Sequence, residues 1–547
     1  MPRVHSQRRG RPRIAPRLLA SCNALRTALG IAFLLAACSD RPTPVAPAFR
    51  GDSAIEAIVA LKADRVTSVE VTPSSASIPV GDTTVLSATP RDARGNPVNG
   101  RVVTWSTSDT TIATVSPSGT VTARGVGSAT IVAKSDGKSG SAALTVTAPT
   151  VPPPPAVTLP VVPGLVGFGT TTPAGRGGAV IRVTNLNDDG EGSLRAALTA
   201  TGPRVVVFEI SGTVTLSSKI AVTSPYVTVA GQTAPSPGIT LKGAGISIRT
   251  NDVLIQHLRF RTGVTSAGNN DGLEVLGPSG YNVVADHISA SWSGDENGST
   301  WYGGAHDITF SNAIFSENVG SGAVLVGDGT KNLAIVNTLF AHNQDRNPYF
   351  KGGTTGVMAN SVIYNWGGNQ AFYTADPDGS GSTQLSVVGN VFIRGPSTPA
   401  AWPIQVYASS KPGTRLYVAD NVDGRGMTPP ADPWSLVRND FGSSAVSTSP
   451  PVWPAGLTAS SPSTAYSAVL SQAGAWPAAR DAVDERVVGD VRDGTGQVAT
   501  SAGPWPSLPV TRRALALPEN PNGDDDGDGY TNLEEWMHAM ARAAEGR

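Results

Sequence analysis

Along most of this chain, apolar residues alternate with polar or small ones in short runs, and turn residues end each run before it reaches helical length. Period-two alternation of this kind predicts half-buried strands. Seven of the runs share one template, a short apolar-alternating strand followed by a polar or small residue. They are Val253-Leu-Ile-Gln-His257, Val283-Val-Ala-Asp-His287, Ile308-Thr-Phe-Ser-Asn312, Leu333-Ala-Ile-Val-Asn337, Val357-Met-Ala-Asn-Ser361, Leu385-Ser-Val-Val-Gly389 and Leu416-Tyr-Val-Ala-Asp420. Their first residues are separated by 30, 25, 25, 24, 28 and 31 positions. A near-constant short period with one strand group per repeat predicts a solenoid, and variable loops between constant strands fit a β-helix. Asn312 and Asn337, one repeat apart, are expected to stack as an internal amide ladder. Helices are few: Ser193 can cap Leu194–Ala200 as a lid over the first coil. Asp481 can cap Ala482–Val491, whose Val483, Val487 and Val491 form one apolar stripe.

Upstream, residues 66–147 change to strands at sandwich-like spacing, for example Val69-Glu-Val71, Thr84-Val-Leu86 and Ala129-Thr-Ile-Val132. Ser77-Ile-Pro-Val-Gly, Val103-Thr-Trp-Ser-Thr-Ser-Asp, Ile112-Ala-Thr-Val-Ser, Gly119-Thr-Val-Thr-Ala and Gly127-Ser-Ala-Thr-Ile follow in order. With these residues the segment resembles the bacterial immunoglobulin-like group 2 domain, which implies a spacer or adhesion module. Pro152–Pro155, within a linker spanning 148–163, favour a stiff extended connection.

Composition narrows the function. Charged residues are 15% of the chain with a net charge of −1, so no basic footprint for nucleic acid exists. Gly (61) and Pro (43) are abundant, as an all-β protein with many turns requires. Both cysteines, Cys22 and Cys38, lie near the N-terminus, so no disulfide staples the body. Arginines from Arg8 to Arg26 precede the apolar run Ala28–Ala37, too short to span a bilayer and typical of an export signal over residues 1–38. Leu35-Ala-Ala-Cys38 resembles a bacterial lipobox with Cys38 as the lipidated residue; an ordinary cleaved signal is the alternative. Residues 39–65 read as a spacer from the membrane. The protein is therefore expected to be exported from a bacterium, either freely secreted or anchored to the outer membrane by lipid, and to be a monomer.

Between about Gly164 and Gly496 an ordered set of motifs names a family. Gly175-Arg-Gly-Gly, Val183-Thr-Asn-Leu-Asn-Asp, Gly192-Ser-Leu-Arg-Ala-Ala, Ile210-Ser-Gly-Thr and Val229-Ala-Gly-Gln-Thr-Ala-Pro come first. Ile248-Arg-Thr, Leu258-Arg-Phe-Arg, Asp286-His-Ile-Ser-Ala-Ser-Trp-Ser, Asp345-Arg-Asn-Pro348, Val362-Ile-Tyr-Asn-Trp-Gly and Arg480-Asp-Ala-Val-Asp follow. The segment resembles polysaccharide lyase family 1, the pectate lyases. The resemblance implies an all-β architecture, a right-handed parallel β-helix over 164–510 behind the immunoglobulin-like sandwich. It also implies Ca²⁺-dependent β-elimination on pectate or a related acidic polysaccharide.

That chemistry removes a proton beside a carboxylate, so it needs a cation on the carboxylate and a base opposite. Ca²⁺ suits the first role because it accepts several oxygen ligands. By resemblance Asp271 and Glu296 fall on the family's calcium-ligand positions with Asp295 beside them, while Asn269 and Thr300 stand where acids are frequent. Arg346 matches the catalytic arginine and Lys351 a substrate-binding arginine. A guanidinium normally stays protonated, so a base role requires nearby cations and favours alkaline operation. The family's lysine between the calcium site and Arg346 is missing: Ser316–Gly327 has none, and Lys331 lies too late. Asp286 and His287 look like a catalytic pair, but His287 occupies the repeat position also held by His257, Asn312 and Asn337, so a structural histidine is expected.

A second calcium motif closes the chain, over 519–547. Asp524, Asp526, Asp528, Tyr530, Asn532 and Glu535 stand at positions 1, 3, 5, 7, 9 and 12 of an EF-hand-type loop with Gly529 at position 6. A helix with Leu533, Trp536, Met537 and Met540 on one face follows; none precedes, because Pro518 and Pro521 intervene. This predicts a half EF-hand that fixes the C-terminus. The competing functions are a hydrolase, for which Asn270-Asp-Gly is the one faint sign, and a non-catalytic polyuronide-binding or adhesion surface protein, favoured by the missing lysine.

Overall fold

The computed structural model describes residues 65–80, 82–147, 158–264 and 270–547. The signal segment with Cys38, the spacer up to residue 64, linker residues 148–157 and Asn269 lie outside the described residues.

The N-terminal unit is a β-sandwich. Lys138–Thr147 pairs with Gly127–Ser135 and Ser75–Pro79, while Thr120–Ala123 pairs with Thr83–Val85 and Ala113–Val115. Strict alternation puts Val121, Ile131, Ala133, Leu144 and Val146 inside. Strands of this pattern can bury one face only against a second sheet.

From Ala179 onward the chain winds through three parallel sheets of ten, nine and nine strands, each coil giving one strand to each sheet. Coils stack in register: Val253 pairs with Val283, Val283 with Ile308, Ile308 with Leu333, and Leu385 with Leu416. One expected anchor is displaced. Leu333 and Leu385 both pair with Gly356, so Val357 stands one residue out of the column. Interior faces carry Val253, Ile255, Phe310, Phe315 and Phe340 in one continuous core. Burying each such side chain stabilises by about 1.5–3 kcal/mol.

The polar residue ending each repeat has a backbone reason. His257, His287, Asn312, Asn337, Asn360, Gly389 and Asp420 all adopt left-handed φ, between 49° and 69°. Asn, Asp and Gly tolerate that region best. The same column corrects the amide ladder. Asn312 and Asn337 are half-buried turn residues. The internal ladders lie elsewhere: Asn343 Oδ1 accepts from the Asn318 backbone N–H, Asn318 Nδ2 bonds the Ser293 and Asp295 carbonyls, and Asn390 Nδ2 donates to Asn421.

Among the described residues, four α-helices cover the ends and flanks. Helix α1 (Leu194–Thr199), capped by Ser193, plugs the first coil with Leu194 and Leu198. Helices α2 (Pro462–Gln472) and α3 (Ala482–Asp493, capped by Asp481) lay Val469, Leu470, Val483, Val487 and Val491 on Ile314, Leu339, Val362 and Val391 of a nine-stranded sheet. Helix α4 (Asn532–Glu545) sets Leu533 and Met537 on Val205, Val207 and Ala230 of the ten-stranded sheet. The N-terminal Val161 and Leu165 cover Leu254 and Val284 of that sheet. Among the described residues, the outer face of the third sheet is covered by no helix. Its Leu325, Tyr349 and Tyr373 are buried against one another, with half-buried Trp301 and Tyr407 packed on them.

Candidate active site

The acids and the arginine expected from the sequence converge where successive coils enter this open sheet. Asp271 precedes the strand Leu273–Leu276, Glu296 begins the neighbouring strand Glu296–Trp301, and Gly322 begins the next. Oxygens of Asp271, Asp295 and Glu296 lie within 4.8 Å of one another. Asp271 is buried; its Oδ1 accepts the Glu296 backbone N–H at 3.0 Å and its Oδ2 the Ser299 hydroxyl at 2.9 Å. Both bonds cross to the adjacent coil, so stacking itself positions the carboxylate. Burial and the neighbouring Glu274 push Asp271 up to about 7. Burial opposes ionisation of Glu274 as well, yet its contacts with Asp271 and Lys219 hold it below its usual value.

Glu296 is completely buried, with Oε1 paired to Arg346 Nη1 and Oε2 lacking any hydrogen-bond partner. A buried, unpaired carboxylate oxygen is costly unless a cation answers it. Three acids presenting only oxygens, one of them orphaned, fit a hard divalent ion such as Ca²⁺.

Arg346 arrives two coils after Glu296 and is built in by three local features. Its φ is 55°, its carbonyl accepts the Val324 N–H at 2.9 Å, and its side chain lies directly over Gly322. A Cβ at 322 would sit 2.6–2.8 Å from Arg346 Cβ, Cγ and Cδ. Glycine here is the space through which the guanidinium reaches Glu296. The preceding Asp345 is half-buried; lost hydration raises its carboxyl, and it accepts the Tyr373 hydroxyl at 3.1 Å.

Lys351 stands at the end of the strand Tyr349–Phe350, with Nζ 2.5 Å from Asp328 and 2.7 Å from Asp378 and 5.4 Å above the Trp301 ring. Partial burial opposes its charge, but the two acids raise its pKa above the ordinary value. Sequence reasoning missed Lys219, whose Nζ is 2.7 Å from Glu274 and 3.6 Å from Asp271. It places a cation beside the acid cluster from a coil upstream, where no motif marks it. The stacked Tyr349 and Tyr373 rings, 4.3 Å apart, were also missed. Asn and Thr at the remaining acid positions are accounted for in part: Thr300 is buried and hydrogen-bonds Thr330. Lys331 reaches the Gly353 carbonyl.

The C-terminal loop brings Asp524, Asp526 and Asp528 together, exposed and within 4.8 Å. Asp524 accepts the Gly527 and Gly529 N–H groups at 2.7 and 3.0 Å, with Gly529 at φ 97°. Reduced hydration and then the charges of Asp526, Asp528 and Asp524 raise the Glu535 carboxyl. One expected ligand turns elsewhere: Asn532 Oδ1 accepts from Asp525 N and its amide donates to Asn520 O. The Tyr530 hydroxyl donates to Pro160 O, while position 7 of such a loop offers its backbone carbonyl.

An all-parallel solenoid with an acid cluster and an arginine on its uncovered face defines a carbohydrate-active β-helix protein. Comparison with known proteins gives the family. The chain is 33% identical over 406 residues to a protein of Aspergillus fumigatus named probable pectate lyase C, covering 69% of this chain and 93% of that one. A Neosartorya fischeri protein of the same name is 33% identical over 407 residues, with the same coverages. The chain belongs to the pectate lyase family and is a pectate lyase-type polysaccharide lyase. Residues 65–146 match the bacterial Ig-like domain (group 2). Among solved structures, a mutant of Bacillus subtilis pectate lyase aligns at 13% identity and a TM-score of 0.42, covering 57% of this chain and 96% of that one. No helix among the described residues is long and apolar enough to cross a membrane.

Proposed function

We propose that the protein cleaves pectate, or a related uronan, by Ca²⁺-dependent β-elimination on the open face of the third sheet. The carrying observation is the cluster of Asp271, Asp295 and Glu296 with an orphaned Glu296 oxygen and Arg346 laid across it. Bound by these acids, Ca²⁺ would supply positive charge against the uronate carboxylate and stabilise the carbanion formed beside it. Arg346 would take the C5 proton of a 4-linked uronate. The C5 electron pair then forms the C4–C5 double bond as the C4–O4 bond breaks, and the leaving oxygen gains a proton. Lys351 would pair a uronate carboxylate further along the chain. The exposed C-terminal loop would hold a second, structural Ca²⁺ through Asp524, Asp526, Asp528, Glu535 and the Tyr530 carbonyl.

The test incubates the purified protein with polygalacturonate at alkaline pH, with Ca²⁺ or with EDTA, and follows the ultraviolet absorbance of unsaturated uronide ends. A Ca²⁺-dependent rise that Arg346→Ala abolishes is expected. New reducing ends without that absorbance would mean hydrolysis, and silence on all uronans would leave a binding role.

A further inference from the structure

Two histidines and a glutamate converge on the flank of the solenoid, none of them among the groups assigned above. His257 and His287 fill the same left-handed position in consecutive coils, and their rings stack with centroids 5.1 Å apart and planes 7° from parallel. The last turn of α4 brings in Glu545. A ring nitrogen of each histidine and a carboxylate oxygen of Glu545 lie within 4.8 Å of one another, and all three side chains are buried.

The hydrogen bonds around the cluster leave its centre unsatisfied. His257 Nδ1 is 2.7 Å from the Ala475 carbonyl, which can only accept, so Nδ1 carries the hydrogen and the neutral ring presents a lone pair at Nε2. That nitrogen is wholly buried, has no hydrogen-bond partner, and faces Glu545 Oε1 at 3.6 Å. His287 Nδ1 donates to Asp286 Oδ2 at 2.9 Å and stands 3.5 Å from the same Glu545 oxygen, so the atom this ring can offer is its buried Nε2, which also lacks a partner. Asp286 is itself held by Gln256, Ser311 and Asn312, the outer carboxylate behind a histidine that metal sites commonly use. Arg547 engages only Oε2 of Glu545, so Oε1 is left to the histidines.

Lone pair against carboxylate oxygen at 3.6 Å is neither a hydrogen bond nor a neutral contact. It is, however, the edge of a coordination shell: bonds of about 2.0–2.2 Å to a tetrahedral ion separate neighbouring ligands by about 3.3–3.6 Å. Imidazole nitrogens select a borderline transition ion over Ca²⁺, which prefers oxygen. A cavity of about 450 Å³ bordered by His287, Asp286, Asn312, Gln472 and Arg547 gives a route in. We propose that His257, His287 and Glu545 bind a divalent transition ion of zinc-type chemistry, which pins the end of α4 to the solenoid.

The test uses the full chain, stripped of metal and then saturated with Ca²⁺ so that oxygen-ligand sites are filled. Calorimetric titration with Zn²⁺ should show one further equivalent per chain and a raised Tm. Co²⁺ in its place should give the visible absorption of a tetrahedral site. Glu545→Gln, at the end of the last helix, and His257→Gln should each weaken Zn²⁺ at least tenfold and remove the Co²⁺ bands. Asp528→Ala, in the calcium loop, should leave both unchanged. Absence of a Zn²⁺ equivalent in the Ca²⁺-saturated protein, or equal affinity in Glu545→Gln and the parent, would overturn the assignment.

Discussion

Replacing Gly322 by alanine tests the active-site geometry without touching any acid or base. The new Cβ would meet Arg346 Cβ at 2.6 Å, Cγ at 2.7 Å and Cδ at 2.8 Å. Carbon atoms pack best at about 3.5–4.0 Å, so the base of the arginine must retreat by about 1 Å. It has little freedom to do so smoothly, because its carbonyl is bonded to Val324 N and its φ is already left-handed. The guanidinium therefore leaves its place over Glu296. A displacement of about 1 Å at a reacting group costs roughly 10²-fold in rate, and overpacking of this kind costs about 1–3 kcal/mol of stability.

Steady-state kinetics on polygalacturonate with saturating Ca²⁺ should then give a kcat lowered about 100-fold and a KM within a few-fold of the parent. That split marks an interaction made in the transition state. The variant should still melt cooperatively. Adding Gly322→Ala to Arg346→Ala should lower activity no further, since both changes act through one group at one position. A Gly322→Ala protein with parental kcat would refute the placement of Arg346 as the base.

Three further outcomes follow from the packing. Asp484→Ala leaves Arg259 and Arg261, both fully buried, with one carboxylate fewer, and should cost about 3–5 kcal/mol in denaturant unfolding. Burial opposes the Asp481 charge, but Arg261 and Arg259 hold that carboxyl below its ordinary value. A depressed folded value gives stability that is complete above about pH 4 and is lost as pH falls through the folded value. The Tm gap between parent and Asp481→Asn should therefore be flat above about pH 4–5 and close below it. Lys351→Ala should raise KM for polygalacturonate about tenfold while kcat changes little, the mark of lost uniform binding.

The solenoid was legible because its turns impose a rule on single residues: a polar residue or glycine at each left-handed position after an apolar strand. One strand anchor slipped, at Gly356, while Asn360 keeps the left-handed rule. A side chain there would collide with the Leu333 carbonyl at 2.6 Å and the Phe350 ring at 2.7 Å, so the inward position is empty of apolar signal and the pattern slides onto Val357. The acids and Arg346 were legible as motifs. What organises them was not, because Lys219, Tyr373 and Gly322 meet the site only through coil stacking. Arg259, Arg261, Asp481 and Asp484 were each visible in quoted motifs, yet their quartet joins residues some 220 positions apart. Helix α2 went unseen since Ser, Thr and Ala fill most of its positions, leaving no strong apolar stripe.

A solenoid is weakest at its ends, where a coil has one neighbour instead of two, and this chain closes its first coils with its own C-terminus. Arg176 pairs with Glu534, 358 positions away, at 2.9 Å, while Leu533 and Met537 seal Val205 and Val207. Thr531 and Glu534 form a reciprocal cap that starts α4 at the loop. Ending the chain before Glu519 removes both buried side chains, worth about 3–6 kcal/mol together, and uncovers an apolar sheet face. The open third sheet loses none of its strands. The truncated protein should unfold at a markedly lower Tm and aggregate on heating, yet keep most of its polygalacturonate turnover well below that temperature. An unchanged Tm would show that α4 merely rests on the solenoid. Lost turnover in a still-folded truncation would show that the last helix also shapes the open face.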